Sequence, residues 1–255
     1  MNNVFVFALS ASIIASVGGL AGGLLLLARE RVARMLSRVL IGFSAGILLG
    51  VTFFDLLPEA LAGFSETRAA FGYVMLGILV FFVIERIIAS VHSHEHAVDD
   101  DDSANAETLR RSVPLVVFGD TVHNFIDGIT VAVTFVASIP LGMATATSVL
   151  VHELPHEIAD FTILIRSGMS RKKVFLVNFI SALVAPLGTV IAYFFATNIE
   201  GLFAPLLAIA AGNLLYIAMS DLLPHLFHER DRIKIVIQVF MLLLGAGILF
   251  FIPMH

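Results

Sequence analysis

Two short segments hold most of the side chains that could do chemistry. The first reads His123-Asn124-Phe125-Ile126-Asp127-Gly128, and the second His152-Glu153-Leu154-Pro155-His156-Glu157-Ile158-Ala159-Asp160. On a helix of 3.6 residues per turn, His123 and Asp127 lie about 40° apart, with Asn124 beside them. His152, Glu153, His156, Glu157 and Asp160 fall within about 140° of arc by the same arithmetic. Imidazole together with carboxylate suits zinc and its first-row neighbours, whereas an all-oxygen set suits magnesium or calcium. The chain has no cysteine, which excludes disulfides and thiolate ligands. The bland alternative is a buried hydrogen-bond network that locks two helices together.

The elements that must position these groups are membrane helices. Hydrophobic residues make up 58% of the 255 and charged residues 14%, and the mean hydropathy is +0.97. A soluble domain sits near half apolar and about a quarter charged. Apolar stretches close to the roughly 20 residues that span a bilayer recur along the chain. Eight are read: 4–28, 35–57, 70–90, 114–137, 141–165, 174–197, 202–223 and 233–252. The first has no basic residue before it and is too long for a signal peptide, so a retained helix is expected. Both polar segments fall about ten residues into their spans, near the midplane. An ionisable group there costs about 2.5–3.5 kcal/mol, so these groups must face a wet cavity, one another or a cation. Pro155 removes a backbone donor and frees the carbonyl of Val151, which predicts a kink beside the ligands. Gly128 loosens the partner helix in the same way, and irregular backbone at membrane depth is tolerated where it lines an ion path.

Charge sets the orientation. All of the 15 Lys and Arg except Arg68 fall in loops after odd-numbered spans. The positive-inside rule places those loops in the cytoplasm and both termini on the extracellular or periplasmic side. A repeat is also visible. Ala45-Gly46 and Asp55-Leu56-Leu57-Pro58 recur at the same spacing as Ala211-Gly212 and Asp221-Leu222-Leu223-Pro224, in spans that cross in opposite directions. Inverted repeats of this kind build two gates around one midplane site. The expected fold is therefore all-α and polytopic, with eight transmembrane helices in a 3+2+3 arrangement within one transporter domain, 1–255. Residues 1–92 form the first repeat, 93–113 a cytoplasmic loop, 114–167 the metal-binding core and 172–255 the inverted repeat. Asp55 and Glu59 at the outer end of span two, and Asp221, His225 and His228 at the inner end of span seven, are read either as ligands along a metal path or as solvated helix-end groups. His92, His94 and His96, followed by Asp99 to Asp102, form a short biased stretch that either collects metal or is simply a solvated acidic loop.

The pair HNFIDG and HELPHEIAD resembles the ZIP (Zrt-, Irt-like protein) metal transporters, and within them the subgroup with HNxxDG on helix four and HExPHExGD on helix five. The eight spans, outward termini, His-bearing loop and three-two-three arrangement match that family too. The resemblance implies an inner metal site of His123, Asp127, His152 and His156. It implies an adjacent second site of Asn124 and Glu153, with Asp127 and His156 near both. It further implies a homodimer, and movement of metal into the cytoplasm as one helix bundle slides or rocks against another. Three positions depart from the pattern. Ala159 replaces a glycine, Ala185 stands where some bacterial members carry a Glu ligand, and Ile47 and Leu48 stand where some relatives have a Met near the metal.

The expected substrate is Zn²⁺, with Fe²⁺, Mn²⁺, Co²⁺ and Cd²⁺ compatible with similar ligands. No organic cofactor and no nucleic-acid partner are expected. The lipid bilayer is the surrounding partner, and the location is the plasma membrane (the inner membrane in a bacterium). One rival comes from another class. His152-Glu153-Leu154-Pro155-His156 matches HExxH, the zinc-hydrolase signature, with Glu153 as general base. The proline inside the motif, the second ligand set on the neighbouring helix and the inverted repeat all weigh against an intramembrane metallohydrolase. A metal-gated channel or receptor shares the same site.

Overall fold

A computed structural model describes residues 3–90, 106–199, 201–227 and 229–251, and every element among them is helical. We number eight rods in chain order. They are α1 (Asn3–Ala28), α2 (Glu30–Ala62), α3 (Thr67–Ser90), α4 (Ala106–Ala137), α5 (Ile139–Arg166), α6 (Arg171–Asn198), α7 (Phe203–Leu226) and α8 (Arg232–Phe251). His92, His94, His96, the acidic run after them and His228 lie outside the described residues.

Six helices, α1, α2, α3, α6, α7 and α8, are long and apolar enough to cross a bilayer. The other two, α4 and α5, are also long, at 32 and 28 residues, but carry the acids and histidines of the polar segments in mid-helix. Only 17% of the apolar 18-residue stretch of α3 and of α8 is buried, so both turn apolar surfaces outward. Phe71, Met75 and Leu79 on α3, and Val236, Phe240 and Leu243 on α8, are exposed.

The segment 93–113 is not a loop throughout. Helix α4 is already formed at Ala106, so Pro114 lies inside it rather than at its head. The added turns are anchored, because Arg110 Nε donates to the carbonyl of Ser167 at 3.0 Å across the end of α5. The connection between α4 and α5 is a single residue. Ser138 is extended (φ −158°) and its side chain accepts from Leu141 N at 3.2 Å, with Pro140 in the first turn. Such a cap starts a helix where the previous one stops, and it lays the two polar segments side by side.

Both Asp-Leu-Leu-Pro motifs distort their helices alike. The chain widens into a π-helical turn at Thr52–Leu56 in α2 and at Ile217–Leu222 in α7, and Pro58 or Pro224 follows in the next turn. Proline lacks an N–H and its ring crowds the carbonyl four residues back, here Phe54 or Ser220 inside the wide turn, and a locally wider turn relieves that crowding.

The most extensive packing is pairwise: α1 with α5, α4 with α6, α2 with α8 and α3 with α7. Glycine permits each crossing. A Cβ on Gly128 would lie 1.9 Å from the carbonyl oxygen of Ala185, and one on Gly46 would lie 2.1 Å from that of Leu242. Gly22 against Leu154 and Gly212 against Val74 play the same part in the other two pairs. Because lipid is as apolar as leucine, such close backbone approach is what holds membrane helices together. The four pairs form two groups, α1-α4-α5-α6 and α2-α3-α7-α8, which meet chiefly where α2 lies on α5.

Candidate metal centre

Four side chains converge where α4 faces α5. His152 Nε2 lies 3.1 Å from His123 Nε2, 3.0 Å from Asp127 Oδ2 and 3.6 Å from Glu153 Oε1. His123 Nε2 lies 3.7 Å from Asp127 Oδ2 and 3.3 Å from Glu153 Oε1. Five of the six distances among these atoms thus fall between 3.0 and 3.7 Å. A tetrahedron around zinc with bonds of about 2.0–2.1 Å has edges of about 3.3–3.4 Å. The set is of the size that holds a four-coordinate ion of this kind.

The surroundings fix these ligands. His152 is wholly buried, and Asp127 and Glu153 are each 1% exposed. His152 Nδ1 lies 3.0 Å from the carbonyl oxygen of Ser148. A carbonyl only accepts, so Nδ1 carries the proton and Nε2 presents its lone pair to the cluster. Apart from the histidine nitrogens of the cluster itself, both oxygens of Asp127 and of Glu153 lack a hydrogen-bond partner among the described residues. Buried polar groups are ordinarily paired, so such a concentration of unpaired carboxylate points to a cation.

The backbone defect expected at Pro155 is met by a neighbour. The carbonyl of Val151, which has no N–H at position 155 to receive, accepts from Ser44 Oγ on α2 at 3.1 Å. On the other helix the carbonyl of Gly128 accepts from Thr189 Oγ1 at 3.0 Å. Both bonds lie one turn or less from a ligand, where backbone freed at membrane depth must be satisfied by protein.

The remaining expected residues are placed as follows. His156 does not join the four. Its Nε2 turns to Asp221 Oδ2 on α7 at 3.0 Å, although its ring centroid is 5.1 Å from that of His123. Asn124 is buried, and its amide Nδ2 donates to Asp120 Oδ1 at 2.8 Å and to Asp120 O at 3.1 Å. Glu157 is 1% exposed and sits with Asp120 and Glu153 in a second group of carboxylates, one oxygen from each within 4.8 Å of the others. At an effective dielectric of about 20, two charges at that separation repel by roughly 3 kcal/mol. Asp160 lines a cavity of about 230 Å³ with Asp120, His123, His156, Tyr216 and Asp221. From Asp221 the polar path continues to His225, whose Nδ1 donates to the Asp221 carbonyl at 2.6 Å and whose side chain is 57% exposed. Asp55 is buried in the π-turn of α2 and Glu59 is exposed beyond it, and neither joins a ligand group among the described residues.

Sequence reasoning overlooked Asp120 and Ser44. Asp120 precedes His123 by three residues and Asp127 by seven, so it lies on the same helical stripe. Ser44 carried no local signal, because its partner is a carbonyl 107 residues away.

A family model described as ZIP Zinc transporter matches the chain in two segments, residues 3–112 and 90–253. The "Zinc transporter ZIP4" of Mus musculus is 35% identical over 206 residues, covering 76% of this chain and 31% of the relative. The "Zinc transporter YKE4" of Saccharomyces cerevisiae is 28% identical over 248 residues, covering 85% and 71%. The "Zinc transporter ZIP10" of Danio rerio is 38% identical over 145 residues, covering 54% and 17%. The chain therefore spans from less than a fifth to about seven-tenths of the length of these relatives. With the family model matching nearly end to end around a buried His/Asp/Glu cluster, this multi-helix membrane protein belongs to the ZIP zinc transporter family.

Proposed function

We propose that the chain carries divalent transition-metal ions, zinc foremost, across a membrane into the cytoplasm. The observation that carries this reading is the cluster of His123, Asp127, His152 and Glu153, whose spacing fits a tetrahedral zinc ion. Fe²⁺, Mn²⁺, Co²⁺ and Cd²⁺ are compatible secondary substrates.

In this mechanism the ion exchanges water for two imidazole nitrogens and two carboxylate oxygens. His156 and Asp221 take it over on the way out, and His225 receives it at the exposed end of the path. The cavity residues lie toward the helix ends that carry Arg86, Arg110, Arg111 and Arg166, and the positive-inside rule makes that side cytoplasmic. All eight rods cross the bilayer in this reading, with both termini outside. The exchange of α1-α5 for α6-α4, and of α2-α8 for α7-α3, is what an inverted repeat requires, and the paired π-turns support it. The two helix groups then move past each other at the α2–α5 contact, each held rigid by its own glycine crossings. The apolar faces of α3 and α8 are offered to lipid and to a second copy of the chain, in the plasma membrane.

The hydrolase reading is weaker. HExxH chemistry needs both histidines on one zinc, but His156 Nε2 is engaged by Asp221, and the named relatives are transporters. The test is zinc flux into proteoliposomes containing only this protein. Saturable uptake that disappears in His123→Ala supports the proposal. Unimpaired uptake by that variant, or no uptake by inserted, zinc-binding protein, contradicts it.

A further inference from the structure

We infer that Asp120, Glu153 and Glu157 form a second cation site, built only of carboxylate oxygens and suited to a harder divalent ion such as Mn²⁺. It lies one turn from the histidine cluster and shares Glu153 with it. The resemblance to the family implied a different second site, centred on Asn124 and Glu153. Here Asn124 is spent on Asp120: its amide donates to Oδ1 at 2.8 Å and leaves Oδ2 without a hydrogen-bond partner.

Three observations converge. One oxygen from each carboxylate lies within 4.8 Å of the others. Glu153 and Glu157 are each 1% exposed. Both oxygens of Glu157, together with Glu153 Oε2 and Asp120 Oδ2, have no hydrogen-bond partner among the described residues, and Glu153 Oε1 faces only the histidines of the first cluster. No described Lys, Arg or His forms an ion pair with Glu157, and the nearest histidines are committed elsewhere, His152 and His123 to the first cluster and His156 to Asp221. Like-charged carboxylates gathered in this way, away from water, call for a cation between them. The donor set decides its class. Without nitrogen or sulfur it favours oxygen-seeking ions, Mn²⁺ over Zn²⁺, in contrast to the imidazole-bearing cluster beside it. The site is reachable, because Asp120 lines the 230 Å³ cavity.

The inference rests on reading the histidine cluster as a zinc site, so the test measures the two ions separately. The full chain in lipid nanodiscs receives one equivalent of Zn²⁺ and is then titrated with Mn²⁺. Retained zinc is counted by elemental analysis and bound manganese by electron paramagnetic resonance. The expected result is one zinc and one manganese per chain in the unaltered protein. Glu157→Gln and Asp120→Asn should each keep the zinc, which also reports that they fold, and lose at least about tenfold in Mn²⁺ affinity. Protein that retains zinc yet takes up no manganese overturns the second site alone, as does Mn²⁺ binding undiminished in both variants. Failure to retain zinc at all would instead overturn the first-cluster reading beneath it.

Discussion

Asp55 and Asp221 occupy the same place in the same motif, each inside a π-helical turn ahead of a proline, yet their surroundings are opposite. Asp55 is 3% exposed, inside the wide turn of α2. The side chain of Asp221 is 35% exposed, borders the cavity and pairs with His156. The shared motif gives a similar wide turn in both helices, so the difference lies in what surrounds each turn. Asp55 lies within the packed protein, whereas Asp221 borders the cavity. Under the inverted repeat proposed above, a carrier with two equivalent gates would have two states, and the unequal exposure of the two residues would mark which one is populated.

The comparison can be broken or sharpened in several ways. The largest effect belongs to the centre that both ends serve. His152→Ala or Asp127→Ala should lower zinc flux at least about 100-fold, because removing a ligand from a four-coordinate site leaves no spare donor. Transport surviving in either variant would mean that the metal passes elsewhere.

Next comes the asymmetry itself. The natural chain has no cysteine, so Asp221→Cys and Asp55→Cys each introduce a single thiol. A water-soluble maleimide should label position 221 at least about tenfold faster than position 55, since thiol reactivity follows exposure. Equal rates would remove that difference.

Packing, in contrast, should be symmetrical. Gly46→Leu and Gly212→Leu each place a side chain where a Cβ alone would lie 2.1 Å from a facing carbonyl oxygen. Both should lower thermal stability in detergent by a similar amount, about 1–3 kcal/mol. A large effect at one and none at the other would argue against related crossings. The smallest effect is expected from Ser44→Ala. It leaves the Val151 carbonyl unpaired and should cost about 1 kcal/mol, read as a shift in the same thermal transition.

The sequence carried the class of the fold because membrane helices need long apolar runs, and α1, α3 and α8 fall within a few residues of the stretches read from hydropathy. The polar segments on α4 and α5 were legible because eight such groups at helical spacing have no apolar explanation. What was not legible is rotamer choice and partnership across helices. His156 shares a face with His152, and nothing local says that it turns to Asp221, which comes from the other helix group. Asn124 looks like a ligand until Asp120, outside the motif, takes its amide. The helical turns of α4 before Pro114 were hidden because that proline reads as a helix boundary, while the hold that Arg110 takes on Ser167 is a contact between distant positions. The π-turns were foreshadowed only by the paired prolines.

The coordination of a single bound zinc tests the central claim most directly. X-ray absorption at the zinc edge, on protein loaded with one equivalent, should give four ligands at about 2.0–2.2 Å, two of them imidazole nitrogens and two carboxylate oxygens. His123→Ala should remove one imidazole from that shell. A shell with no imidazole, or one left unchanged in His123→Ala, would contradict the assignment of the metal to the cluster between α4 and α5.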